Sequence, residues 1–232
     1  VRIVGQAVAD YLADEGHDDP VVIGYDARQS SEGFADTLAD VLTGNGFDVL
    51  LPRRDCPTPL VAYAIVDRGL SGGLMITASH NPPEYNGVKF IPADGAPALP
   101  AVTDAVAERL AEPKRRPESE RGTVRRVDLV TPHAERAREL VGADLSGLTV
   151  VHDAMHGSGR GVTDELLRSA GAEVFNVRDD VDPEFGGTPP EPSAENLEPL
   201  VEAVEKYDAD LGVANDGDAD RVAFVTPERG HL

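Results

Sequence analysis

The chain has 232 residues, 41% of them hydrophobic, which supplies a core for one large domain or two small ones and excludes disorder throughout. Asp and Glu number 42 against 21 Lys plus Arg, so the formal charge is −21, which repels nucleic-acid phosphates and anionic membranes. A single cysteine, Cys56, excludes an internal disulfide and a four-cysteine zinc site, and fits a cytoplasmic protein.

The only lysines are Lys89, Lys114 and Lys206, and the carboxylates are dispersed along the chain instead of gathered in a tail. Concentrated salt would screen the self-repulsion of such a surface, so the composition suggests a halophilic protein. No apolar run approaches the ~18 residues that span a bilayer, and VRIVGQAVADYLADEG lacks the basic and apolar regions of a leader.

Helical spacing of Ile3, Val4, Ala7, Val8, Tyr11 and Leu12 predicts a first helix, and Asp18, Asp19 and Pro20 separate it from the strand VVIGYD. A helix over 32–42, a strand FDVLLP, a helix after Pro57 and Pro59 and a strand LMITAS follow. The polar turn SHNPPEYNG then leads into the strand VKFIP. After a helix over 101–110, the charged stretch EPKRRPESERGTVRR reads as an exposed connection. Beyond a helix over 133–141, strand and helix alternate again through LTVVHD, 163–170, EVFNV, 197–206, DLGVAN and VAFV. Such alternation predicts parallel-sheet α/β units in both halves, divided as 1–142 and 143–232, with no internal repeat.

Three segments at strand exits carry chemistry. In Asn215-Asp216-Gly217-Asp218-Ala219-Asp220-Arg221, three alternating carboxylates follow an apolar strand and can converge on one point, a hard oxygen donor set suited to Mg²⁺. A calcium-binding helix-loop-helix does not fit, because Arg221 stands where that loop needs glycine and Pro227 where it needs glutamate. The plain alternative is a solvated acidic turn. In Thr77-Ala78-Ser79-His80-Asn81-Pro82, the prolines turn the chain and present Ser79 as a nucleophile candidate, against the alternative of an ordinary polar turn. In Gly24-Tyr25-Asp26-Ala27-Arg28-Gln29-Ser30-Ser31, Arg28 is placed to hold a phosphate bidentately, and Ser30 or Ser31 to cap the next helix. Lys89, within the strand VKFIP, becomes a usable proton carrier if burial lowers its pKa, and is otherwise a strand-edge lysine.

Together, GYDARQSS, TASHNPPEYNGVKF and NDGDADR, in this order, resemble the α-D-phosphohexomutase superfamily, and VVHDAMHGSGRGV with FGGTPPEPSAENL resembles its second domain. The resemblance implies two consecutive three-layer α/β/α domains, the first with a phosphoserine loop and the second with a metal loop. It further implies a phosphoryl group carried on Ser79, one Mg²⁺ held by that phosphate with Asp216, Asp218 and Asp220, and Arg28 and Arg221 beside it. His80, Asn81 and Lys89 would complete this part of the site, Lys89 as general acid or base. The implied reaction interconverts hexose 1-phosphate and hexose 6-phosphate through a hexose 1,6-bisphosphate, which also serves as activator.

Family members have four domains and open with a glycine- and arginine-containing segment, whereas this sequence starts in a helix at Val1 and stops at TPERGHL. The resemblance therefore implies a fragment holding domains one and two, with the C-terminal domains as its missing partner. Thr77 and HDAMHGSGRG look closer to phosphoglucomutase and phosphomannomutase than to the glucosamine branch. Two other readings are a non-catalytic Mg²⁺-binding module and a phosphotransferase with an aspartate nucleophile in the DGDAD loop. His156 in the HGSGRG turn is the other histidine with a possible place in a cleft.

Overall fold

A computed structural model describes all residues from Val1 to Leu232. They pack as two compact units, the first made of Val1–Tyr25, Ser30–Thr77 and Asn86–Leu129, the second of Asp26–Gln29, Ala78–Tyr85 and Val130–Leu232. This partition follows packing, whereas the division at 142/143 follows chain order. No helix is long and apolar enough to cross a membrane.

The first unit runs α1 (Arg2–Asp14), β1 (Val21–Tyr25), α2 (Ser31–Gly44), β2 (Val49–Pro52), α3 (Thr58–Arg68), β3 (Gly72–Ile76), β4 (Val88–Pro92), α4 (Pro100–Ala107) and β5 (Val124–Val127). Its sheet has the order β4-β3-β1-β2-β5. Every residue of β1, β2 and β3 is buried, as expected of strands covered on both faces. On one face, Ala7, Val8 and Leu12 of α1, Leu38 and Leu42 of α2 and Val106 of α4 pack on Val21, Ile23, Leu74 and Ile76. On the other lies α3, which begins with proline in its first turn and ends at Gly69 in the left-handed region. It approaches so closely that a Cβ on Gly24 would stand 2.3 Å from Val61 and 3.2 Å from the sulfur of Cys56.

The sheet is mixed, which corrects the expectation of parallel strands alone: β4 runs antiparallel to β3. The β3–β4 connection carries no helix, and a parallel neighbour needs a crossover. The stretch read as an exposed connection also holds more structure than expected. Its last residues form β5, parallel to β2, and its Lys114 and Arg116 N–H groups donate to Gln6 Oε1 (2.7 Å) and the Gly44 carbonyl (2.8 Å). The exposed side chains of VRRV hide this strand from a hydrophobicity pattern, and charge suits an unpaired sheet edge.

The second unit runs α5 (Val130–Val141), β6 (Thr149–Asp153), α6 (Thr163–Ser169), β7 (Glu173–Val177), α7 (Glu198–Lys206), β8 (Leu211–Asn215), β9 (Val222–Thr226) and β10 (Gly230–His231). The sheet order is β10-β9-β8-β6-β7, with β6, β7 and β8 parallel and β9 and β10 antiparallel. Leu200, Ala203 and Val204 of α7 cover one face through Val151, Ala214, Ala223 and Val225. Leu167 of α6 packs with Val150, Val174 and Val213 on the other.

In each sheet the second crossover passes back over the first strand, so neighbouring strands send their loops in opposite directions. The crevice this opens lies at the carboxyl ends of β1 and β3 in one sheet and of β6 and β8 in the other.

Candidate active site

The loops leaving β1 and β3 carry Arg28 and Ser79, and both pack within the second unit with the loop that leaves β8. Ser79 has φ +53, a left-handed conformation uncommon outside glycine, and is half-buried. Its hydroxyl donates to Asp216 Oδ2 at 2.9 Å, which joins the two motifs that the sequence analysis singled out separately.

Arg28 is 3% exposed and all five of its N–H groups have acceptors. Nε donates to Asp26 Oδ2 (2.9 Å), Nη1 to the carbonyls of Pro82 (2.6 Å) and Tyr85 (3.1 Å), and Nη2 to those of Ser79 and Asn81 (both 2.7 Å). The arginine thus grips the main chain of the serine loop, where the sequence suggested a fork open to phosphate. Ser30 occupies the N-cap position of α2 without a side-chain cap bond, and Ser31 Oγ accepts from Asn86 Nδ2 at 2.9 Å.

Asp216 and Asp218 are fully buried and Asp220 is exposed. One carboxylate oxygen from each lies within 4.8 Å of the others. Asp216 Oδ1 accepts from the N–H groups of Asp220 and Arg221 (both 3.1 Å), and Oδ2 accepts from Arg221 Nε (3.1 Å) besides Ser79. Burial first, then the charges of Asp218 and Asp220, push the Asp216 carboxyl up to about 6. Crowded, buried, like-charged oxygens at a strand's end are the donor set that a hard divalent cation fits.

His80 is half-buried, with Nδ1 buried and lacking a hydrogen-bond partner. The Asn81 N–H donates to the Ala78 carbonyl (3.0 Å), and Asn81 is exposed. Lys89 stands in the first unit on the edge strand β4, opposite Met75, and is half-buried. His156 has φ +56, and its Nδ1 lies 3.0 Å from Asp180 Oδ1.

Several further residues within or beside the motifs, to which the sequence analysis gave no role, support the loop. Asn215 is 7% exposed; its Nδ2 donates to the Arg221 carbonyl (3.2 Å), tying together the two ends of the acidic loop. Asn215 Oδ1 accepts from Thr163 Oγ1 (2.8 Å) and meets His152 Nε2 (3.1 Å). The Ser158 N–H and hydroxyl both donate to the Gly217 carbonyl (3.0 and 3.1 Å), and the Gly217 N–H donates to the Pro190 carbonyl (3.1 Å).

Residues 1–116 match the family model for phosphoglucomutase/phosphomannomutase alpha/beta/alpha domain I, and residues 132–230 match that for domain II. A Methanopyrus kandleri protein named probable phosphoglucosamine mutase is 39% identical over 97% of this chain and 49% of its own length. The phosphoglucomutase/phosphomannomutase of Thermococcus kodakarensis is 37% identical over 96% of this chain and 50% of its own length. The crystal structure of a phosphoglucomutase/phosphomannomutase family protein from Burkholderia thailandensis superposes with a TM-score of 0.86 at 28% identity, covering 100% of this chain and 51% of that one. The chain spans about half the length of the curated relatives it matches. Matched by both domain models in order along nearly its whole length, it belongs to the phosphoglucomutase/phosphomannomutase family.

Proposed function

We propose that this chain is the phosphoryl-carrying half of a phosphohexomutase, with Ser79 as the phosphorylated residue and Asp216, Asp218 and Asp220 as the holders of one Mg²⁺. The observation that carries the reading is the 2.9 Å hydrogen bond from the Ser79 hydroxyl to Asp216, one of the two buried corners of the carboxylate cluster. When bound, Mg²⁺ would offset charge on the transferring phosphoryl group.

The chain's own residues supply the rest. The left-handed turn at Ser79 presents Oγ, and Asp216 Oδ2 fixes its direction. Arg221, 42% exposed at its side chain, has a face open to phosphate oxygens. In the proposed reaction, the bond between phosphorus and Ser79 Oγ breaks as one forms to a sugar hydroxyl, whose proton passes to Lys89 acting as base, while the departing Ser79 Oγ takes up a proton from water. The bisphosphorylated hexose then turns over and returns its other phosphate to Ser79, whose hydroxyl proton goes back to water as Lys89 gives its proton to the sugar oxygen. His80 and Asn81 complete the serine side of the site. Substrate affinity and orientation are assigned to the half of the relatives' length outside this chain, so the chain alone carries phosphate but turns over poorly. Relatives bearing the glucosamine and the glucose/mannose names match it almost equally, so glucose or mannose phosphate rests on Thr77 and the HGSGRG turn alone.

The dispersed carboxylates support a protein adapted to concentrated salt in the cytoplasm. The test is intact mass and phosphosite mapping after incubation with glucose 1,6-bisphosphate and Mg²⁺ in high salt. One phosphate on Ser79, absent from Ser79→Ala, is the expected result; folded protein that gains none sinks the reading. Phosphate on Asp216 that persists in Ser79→Ala would favour the aspartate nucleophile.

A further inference from the structure

We propose that Phe185 is a positioning residue for the Ser79 loop and acts through Arg28. Its effect on phosphoryl transfer rests on the function proposed above, whereas its effect on loop order does not.

The five N–H groups of Arg28 lie around the edge of its planar guanidinium, and all are engaged, so only the two faces of the plane remain. One face is covered by Phe185, whose ring centroid is 5.1 Å from the guanidinium carbon. A cation at this distance from an aromatic ring is attracted by its quadrupole, more strongly where water is excluded, and Phe185 and Arg28 are 2% and 3% exposed.

The backbone at Phe185 shows that this placement is imposed. Its φ of +52 is unfavourable for a bulky residue, and Gly186 and Gly187 follow at φ +69 and +77. Strained conformations persist where the surroundings over-determine them. Here Asp182 does so, accepting from Gly186 N–H (3.0 Å) and Glu184 N–H (2.9 Å) with its carboxylate and from Phe185 N–H (3.0 Å) with its carbonyl. The turn therefore fixes the ring, the ring fixes the plane of Arg28, and Arg28 fixes the carbonyl of Ser79, itself at φ +53 with its hydroxyl on Asp216. A core-filling phenylalanine would need neither the strained backbone nor an aromatic face.

The test compares Phe185→Leu, which keeps bulk and loses the aromatic face, with Phe185→Tyr, which keeps the face. Two readouts are taken on the full chain: hydrogen exchange of the peptide covering 78–86, and the rate of phosphate uptake from glucose 1,6-bisphosphate. Phe185→Leu is expected to raise exchange in that peptide about tenfold with β6 and β8 unchanged, and to slow uptake about a hundredfold, the effect of misplacing a reacting group by about 1 Å. Phe185→Tyr is expected to stay close to wild type in both. Wild-type behaviour of Phe185→Leu overturns the proposal, as does equal impairment of the two variants, which would make volume the only requirement. If wild-type protein takes up no phosphate, the proposed function fails, and loop exchange alone decides this inference. If Phe185→Leu does not fold, Arg28→Lys is measured instead, since it keeps the charge without the planar fork. Unchanged exchange of 78–86 in that variant overturns the proposal.

Discussion

The two sheets share a plan. In each, the first strand lies between the second and third, all parallel, and the fourth is antiparallel to the third; only the fifth differs, since β5 joins β2 whereas β10 joins β9. The likeness extends to the loops. Asp26 after β1 and Asp153 at the end of β6 each accept a hydrogen bond from the N–H two residues ahead, Arg28 and Met155, and each pairs with an arginine. The Ser79 loop joins the third and fourth strands of its sheet, and the acidic loop does the same in the other. They differ in how they are held. Four carbonyls of the serine loop depend on one long side chain, whereas the acidic loop is tied by Asn215, Ser158 and close glycine contacts. Order in the first is therefore concentrated in one residue, and in the second it is distributed.

The largest expected effect breaks the concentrated case. Arg28→Met takes the guanidinium partner from the buried Asp26 carboxylate, and should cost about 3–5 kcal/mol in urea unfolding. Arg178→Met removes the equivalent partner of Asp153, but Arg178 is 15% exposed and water can replace part of it, so about 1.5–3 kcal/mol is expected. A larger loss for Arg178→Met would reverse the comparison.

Gly157→Ala probes the distributed case. A Cβ there would stand 2.9 Å from the carbonyl oxygens of Asp216 and Gly217, and the clash should cost about 1–3 kcal/mol in the same measurement. Mg²⁺ affinity measured by calorimetry should fall with it, because those carbonyls belong to the acidic loop.

His152 gives a pH test of the same loop. Burial, partly opposed by Asn215 and Asp164, lowers its pKa from the ordinary 6.5. The folded state then binds fewer protons than the unfolded state below that value, so stability is complete above about pH 6.5 and declines as pH falls. The limit for one such group is about 1.4 kcal/mol per pH unit. Thermal melts should show this slope, and His152→Gln, itself less stable at neutral pH, should flatten it. The smallest effect is expected of Arg115→Ala. Its pair with Asp40 is 44% exposed on both sides and is worth under about 1 kcal/mol, less in high salt.

Much of the site was legible because its chemistry is contiguous in sequence. Ser79 and the three aspartates stand in short, polar, strand-exit motifs, and apolar runs marked the central strands. What escaped is what depends on distant pairing. Nothing in VRRV distinguishes a charged edge strand from a linker, and FGG shows neither the left-handed turn at Phe185 nor the arginine above it. Arg28 was found, but an arginine beside a serine loop reads the same whether its donors face a ligand or the main chain.

Cys56, just before α3, buried against Gly24 of β1 and 2% exposed, gives the first unit a reporter of its own. A thiol reagent can reach that sulfur only when the packing around it opens, and the chain holds no second cysteine to confuse the signal. Its modification rate, followed by absorbance in native buffer, measures how often the first unit breathes, separately from the loops of the second unit.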